Sequence, residues 1–179
     1  MRRLYALSAA LALTACATKA PPYSPAIANL SKLETMQPAK VGEIKVAQDK
    51  LNSIGLRGSS MTSPVGAGYG DYLKDALAQE LRLANKLNAD ASTVISGELL
   101  ENDVDASGFS TGHGKVSARF TVKKQDQETY NKQKTVESQW ESSFAGPIAI
   151  PAAMNNYPLL IQRLLAALYD DQDFVAATR

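Results

Sequence analysis

Apolar residues recur along this chain in two rhythms, a period of two and a spacing of three and four, and each change of rhythm marks an element. Within 41–47, Ile44 and Val46 alternate with Glu43 and Lys45 as in a half-buried strand. A second short strand is predicted over 54–61, stopped by the turn residues Ser63 and Pro64. The rhythm turns helical over 71–87, where Leu73, Ala76, Leu77, Leu81, Ala84 and Leu87 share one stripe. Asn88, Ala89 and Asp90 end that helix. Three strands follow. Residues 93–104 start with apolar side chains on both parities (Val94, Ile95, Leu99, Leu100), as in a strand covered on both faces. Val116, Ala118, Phe120 and Val122 alternate with polar neighbours, as do Val136, Trp140 and Phe144, so the next two strands each have one wet face. The polar run 124–134 reads as strand ends and a hairpin tip, which makes the three an antiparallel meander. After Gly146 and Pro147 break the sheet, Tyr157, Leu160, Ile161, Leu164, Leu165 and Leu168 follow the pattern of a strongly amphipathic helix. Pro151 and Pro158 suit the first turns of helices, and Asp173 is placed to cap a short turn over 174–177. This order predicts an α+β fold: a two-layer sandwich, with an antiparallel sheet of four to five strands and two helices packed on one face.

Ahead of this single domain, 41–179, the pattern changes. Pro21, Pro22, Pro25 and Pro38 lie among Ala, Ser, Thr and Lys, which describes a proline-rich tether over 16–40. Ile27, Leu30, Leu33 and Met36 recur at helical spacing inside it, so a short helix lying on the domain is the competing reading. Earlier still, Arg2 and Arg3 precede an apolar run over 4–13 that only Ser8 interrupts, and small residues lead to Cys16. That is the three-part plan of a secretory signal peptide over 1–15. The run is shorter than the ~20 residues that a membrane-spanning helix needs.

Leu13-Thr14-Ala15-Cys16 resembles the bacterial lipobox. The resemblance implies lipidation of Cys16: its sulfur accepts diacylglycerol and its amino group becomes the mature N-terminus. Cys16 is the only cysteine in 179 residues, so the exported domain forms no internal disulfide. Two or three acyl chains anchor a protein stably where a single chain holds it reversibly. In lipoproteins an aspartate after the cysteine favours retention in the inner membrane. Ala17 stands there instead, which implies the outer membrane, on its periplasmic face.

Composition narrows the functional classes. Hydrophobic residues make up 45% of the chain, enough for one packed core. The formal charge is +1, from 19 Lys and Arg against 18 Asp and Glu, and loss of Arg2 and Arg3 with the signal leaves 17 against 18. That balance supplies no basic field for nucleic acid and no polybasic membrane patch. The partners expected are the membrane, through the lipid anchor, and a protein of the envelope.

Candidate chemistry is sparse. Gly66, Gly68 and Gly70 precede a helix, but their spacing fits neither the dinucleotide fingerprint nor the P-loop, and a flexible loop is the simpler expectation. Asp103, Asp105 and Ser107 begin like a calcium loop, yet Gly114 stands where the bidentate glutamate belongs, so a strand-ending turn is expected. Asp170, Asp171 and Asp173 lack metal-ligand spacing and read as a solvated helix stop. His113, the only histidine, is expected in an exposed loop, with no Gly-x-Ser-x-Gly elbow to accompany it. One cysteine and one histidine exclude a thiol protease and a His/Cys zinc site. Trp140 and Phe144 share the parity of Val136 and are expected in the core. No catalytic residue, metal or cofactor is therefore assigned.

The whole pattern resembles small periplasm-facing lipoproteins, the YajG-type lipoproteins and the auxiliary lipoproteins of ABC-type transport systems. The likeness rests on Leu13-Thr14-Ala15-Cys16, the Ser63-Pro64 turn before a helix with Tyr72-Leu73 and Ala76-Leu77, the run Val94-Ile95-Ser96-Gly97-Glu98-Leu99, and the last helix around Leu164-Leu165. It implies a non-enzymatic accessory or scaffold for envelope transport or assembly. The alternatives are a binding module for a small or lipidic ligand held between the last helix and the sheet, and, third, an envelope hydrolase built on a carboxylate pair.

Overall fold

The computed structural model describes residues 17–179, so Cys16 and the proposed signal peptide lie outside the described residues. The chain enters as β1 (Ala17–Lys19) and α1 (Ile27–Lys32), then β2 (Lys40–Val46), the hairpin strands β3 (Ser53–Leu56) and β4 (Ser59–Thr62), and α2 (Tyr69–Leu83). The meander follows as β5 (Thr93–Asp105), β6 (Thr111–Lys124) and β7 (Gln127–Glu141), and α3 (Gly146–Tyr169) and α4 (Gln172–Ala177) complete it. The main sheet has the order β2-β5-β6-β7, and a small second sheet has the order β1-β4-β3. Mixed α+β architecture with sandwich-like packing is what the alternation predicts.

Three features of the strands differ from the expectation. β2 runs parallel to β5, because the chain crosses over through α2 between them. The stretch 54–61 is two strands, folded back through Arg57 and Gly58 at φ 44° and 85°, and it belongs to the second sheet. β6 and β7 are longer than predicted, and they turn through Gln125 and Asp126 alone, both at positive φ, as a two-residue hairpin requires.

Burial follows the predicted parity. Ile95, Leu99, Val116, Ala118, Phe120 and Val122 line one face of the meander and are fully buried. Over that face lie α2, against β2, and α3, against β6 and β7. α3 contributes Tyr157, Leu160, Ile161, Leu164, Leu165 and Leu168, each removed from solvent and each stabilising by roughly 1.5–3 kcal/mol. Pro147 occupies the first turn of α3, so Pro151 and Pro158 fall inside one continuous helix rather than opening new ones. The missing N–H groups leave the carbonyls of Pro147 and Met154 without their usual intrahelical donor. Gly70 lets α2 approach β2 closely: a Cβ there would meet the Ile44 carbonyl oxygen at 2.4 Å. α2 ends earlier than its stripe predicts. Asn85, at φ 58°, terminates it, with the N–H groups of Lys86 and Asn85 donating back to the carbonyls of Leu81 and Arg82.

The segment over 17–40 lies on the domain. Its prolines supply no donors, but its carbonyls are taken up: Tyr72 Oη donates to the Pro21 carbonyl at 2.9 Å and Gln162 Nε2 to that of Ser24 at 2.7 Å. Leu33 and Met36 are buried as the helical spacing suggests, whereas Ile27 is 86% exposed and Asn29 takes the inner position. The anchor is Glu80, a fully buried carboxylate on α2 that accepts from Tyr23 Oη, from Asn29 Nδ2 at 3.0 Å and from the Ala26 N–H at 3.3 Å. Burial first, and then this carboxylate, pushes the phenols of Tyr23 and Tyr169 well above their ordinary range, so both stay neutral.

At the other terminus Asp171, not Asp173, caps the last helix, accepting from the Asp173 N–H at 2.9 Å. The same side chain, 9% exposed, pairs with Lys134 and accepts from Tyr130 Oη at 3.1 Å. Burial alone would raise its carboxyl, but the hydrogen bonds from Lys134, the Asp173 N–H and Tyr130 outweigh that and hold it well below the usual carboxylate range. Asp171 is therefore a docking point for α4 on β7, while Asp170 and Asp173 stay solvated as expected, 61% and 68% exposed.

Two expected outcomes follow from these buried carboxylates. Glu80→Ala leaves the Tyr23 hydroxyl without its acceptor and Asn29 with only the Gln162 carbonyl, and lowers stability by about 3 kcal/mol in urea unfolding, with amide protection lost over 20–36; Glu80→Gln, which keeps an acceptor, loses less. Unchanged exchange over 20–36 in Glu80→Ala refutes the pinning role. For Asp171 a depressed folded value means stability that is present above the unfolded value near ~3.9 and is lost as pH falls below it. Asp171→Ala is thus expected to lower stability by about 2 kcal/mol at pH 7. The gap from wild type should shrink steadily below about pH 4, and a pH-independent gap contradicts the assignment.

Candidate functional site

Two surfaces carry the side chains available for function. The first is the outer face of the main sheet, where polar residues alternate with the buried ones. Lys115 lies between Glu101 and Glu137, at 3.3 and 3.5 Å, and Arg119 pairs in register with Glu98 and Gln133. Exposed pairs of this kind contribute little, being screened by solvent. His113 stands on this face within β6, opposite Asp105 and Gln139, rather than in a loop, because the strand begins five residues before the alternation becomes apolar. Asp105 is engaged by its own turn, accepting the Ser107 N–H at 2.7 Å. Hydrogen bonds from Ser107, and more weakly the nearby His113 and Arg57, hold its carboxyl below the ordinary value. Among the described residues no group of three metal-ligating side chains converges.

The Gly66-Gly68-Gly70 loop is built rather than flexible. Asn52 Oδ1 accepts the Tyr69 N–H at 3.0 Å, and Asp71 Oδ2 accepts the Ala67 N–H at 2.7 Å, so protein oxygens occupy these donors at the start of α2. Between α3 and the sheet, where a ligand would be held, Tyr157, Leu160, Ile161 and Phe120 leave no exposed surface, and Tyr157 Oη donates to Asn102 at 2.9 Å. That filled layer counts against a ligand site in this position.

The second surface is one end of the molecule. Phe109, in the β5–β6 loop, and Phe144, after β7, are 77% and 68% exposed and stack with ring centroids 5.0 Å apart. Ile148, in the first turn of α3, is 59% exposed beside the exposed Pro147 and Pro151. Phe144 shares the parity of Trp140 yet is not in the core, because β7 ends at Glu141 and the chain leaves the sheet before reaching it. Trp140 packs inward as expected, over Gly112 and Gly114, where a Cβ would meet the indole at 2.3 and 3.2 Å. No charged residue occurs over 106–112 or over 142–162.

Arg57 organises this end. From the β3–β4 turn its guanidinium donates to the carbonyls of Ala106 and Gly108 in one loop and of Ser143 and Phe144 in the other, the Gly108 and Ser143 bonds both at 3.0 Å. One side chain thereby fixes both aromatic loops relative to the small sheet. In that sheet β1 runs parallel to β4, with Ala17 opposite Ser60, two residues past Gly58. The first described residue of the chain is therefore at the same end as the phenylalanines. Sequence reasoning found neither Phe109 nor Arg57; the long uncharged stretch 142–162 was the available signal.

No family model matches the sequence, and no curated protein matches it. The structure shares its fold with protein XCC0632 from Xanthomonas campestris, of the family DUF330, at a TM-score of 0.59 and 11% identity over 90% of this chain and 96% of that one. A candidate lipoprotein from Caulobacter crescentus CB15 aligns at a TM-score of 0.48 and 12% identity, covering 83% and 94%. A minor lipoprotein from Acinetobacter baumannii aligns at 0.43 and 10%, covering 77% and 90%.

Arg57→Ala is expected to lower stability by about 2 kcal/mol, since it removes charge-assisted bonds to four carbonyls. Hydrogen exchange is the sharper readout: amides over 106–110 and 142–146 should exchange faster, while the turn at Gln125 and Asp126 is unchanged. Equal exchange at both ends removes Arg57 from this role.

Proposed function

We propose that this chain is a lipoprotein anchored through a diacylglyceryl group on Cys16 to the periplasmic face of the outer membrane, acting without catalysis as an accessory to envelope transport or assembly. The observation that carries the reading is Leu13-Thr14-Ala15-Cys16, a lipobox-like ending to a positively charged and then apolar leader, in a chain with no other cysteine. The shared fold with a DUF330 protein fits it. A closer kinship, to the YajG-type lipoproteins or to transport auxiliary lipoproteins, and an envelope protein as partner, are parts of the same proposal. So is the outer-membrane address, which rests on Ala17 following the cysteine.

The docked 17–40 segment gives the proposal a physical consequence. Because the chain is strand-paired from Ala17 onward, no long spacer separates domain from bilayer, and a partner has to be met close to the membrane surface. The direct test is Cys16→Ser. The wild-type chain is expected to carry acyl groups by mass spectrometry of the mature N-terminus and to fractionate with outer membranes. The variant is expected to accumulate as an unprocessed, unacylated precursor. A wild-type chain with a free amino end downstream of Cys16 refutes the anchor.

A further inference from the structure

We infer that the end of the domain where two uncharged loops and the start of the last long helix present Phe109, Phe144 and Ile148 is a second membrane contact that seats in the interfacial layer of the bilayer holding the Cys16 lipid. The inference rests on the anchor reading above and adds to it the orientation of the domain.

Position is the first argument. β1 runs parallel to β4, so passing backwards from Lys19 to Ala17 follows β4 back towards its Arg57–Gly58 turn. Ala17 is bonded to Cys16, and consecutive Cα atoms lie ~3.8 Å apart, so acyl chains on that cysteine leave the protein at the turn end of the small sheet. The side chain of Arg57, in that turn, reaches the Phe144 carbonyl directly. Lipid attachment and aromatic pair thus lie at the same end of the domain, bridged through the β3–β4 turn by Arg57, and a bilayer that accepts the first meets the second.

Chemistry is the second argument. Large exposed apolar side chains grouped at one end of a domain mark a surface that is covered in use. The two loops that bear them contain no charge, which a hydrocarbon boundary demands. Backbone groups brought to such a boundary must find partners within the protein. Here Arg57 satisfies four loop carbonyls, the Ser142 N–H donates to Ser110 at 2.8 Å, and the Ala145 N–H donates to Ser143 Oγ at 3.1 Å. The loops are therefore prepared for loss of water in a way that an ordinary surface loop is not. The far end offers the contrast. The β6–β7 turn holds Lys123, Lys124, Asp126 and Glu128, and the 14 residues of β6 place it roughly 45 Å away.

The experiment uses the full, natively acylated protein. Phe144→Cys and Gln125→Cys are labelled separately with a polarity-sensitive fluorophore, Cys16 being blocked by its own lipid, and reconstituted into protein-free vesicles of phosphatidylethanolamine and phosphatidylglycerol. Both positions are exposed, so neither label disturbs the core. The label at 144 is expected to shift to the blue and to be quenched several-fold more by spin-labelled lipid than the label at 125. Equal quenching at the two positions in a chain whose mass shows the acyl groups overturns this inference alone and leaves the anchor standing. An unacylated chain overturns both. A label at 144 that is dry in native envelopes but wet in protein-free vesicles assigns the patch to a protein partner and equally overturns the membrane contact.

Discussion

A single buried carboxylate governs how the ends of this molecule relate to its middle. Among the described residues no lysine or arginine pairs with Glu80, and removing a carboxyl group from water without a counter-charge is costly unless donors replace the solvent. The donors come from Tyr23, Ala26 and Asn29, all in the proline-rich segment that precedes the first strand of the main sheet. The dependence runs both ways. Without the segment Glu80 is an unsatisfied buried charge, and without Glu80 the segment loses its main polar hold. A stretch whose composition describes a free tether is thereby made part of the fold, and the direction in which the chain leaves the domain is fixed.

Around that carboxylate the packing is aromatic rather than aliphatic. Tyr69 meets Tyr72 and Tyr157 edge to face at 6.1 and 5.0 Å between ring centroids, Tyr72 and Tyr157 are tilted at 5.4 Å, and Tyr23 joins through Tyr72 at 6.4 Å. Tyrosine suits this place because a ring fills the volume while its hydroxyl reaches a polar partner, as Tyr72 does to Pro21 and Tyr157 to Asn102. The cluster joins α2, α3 and the N-terminal segment.

What the sequence disclosed was what is local and periodic. The meander was legible because one wet face forces strict alternation in β6 and β7, and α3 because its apolar stripe is broad and regular. Pairing between distant segments left no such trace. Nothing in Lys40–Val46 says that its neighbour is β5 or that the two run parallel, since that follows from the crossover through α2. Tyr23, Asn29 and Glu80 are more than fifty residues apart across their bonds, and a glutamate on a helix reads as a surface residue until its partners are seen. Phe144 shows the opposite failure: alternation continued in the sequence after the strand itself had stopped. Arg57 and Phe109, isolated in turns, belong to no period at all.

The site inherits that division. The lipobox-like run Leu13-Thr14-Ala15-Cys16 is contiguous and was readable at once, whereas the aromatic surface is assembled from three separated turns by one arginine. The geometry also constrains how such a domain can be loaded. In the proposed anchored state, strand pairing from Ala17 and the clamping of the aromatic loops to the same small sheet would oppose rotation about the lipid at two points rather than one. A long flexible tether would leave the domain free to turn about its point of attachment. Here the N-terminal segment, the small sheet and the aromatic loops are held to one another by hydrogen bonds between segments rather than by any single element.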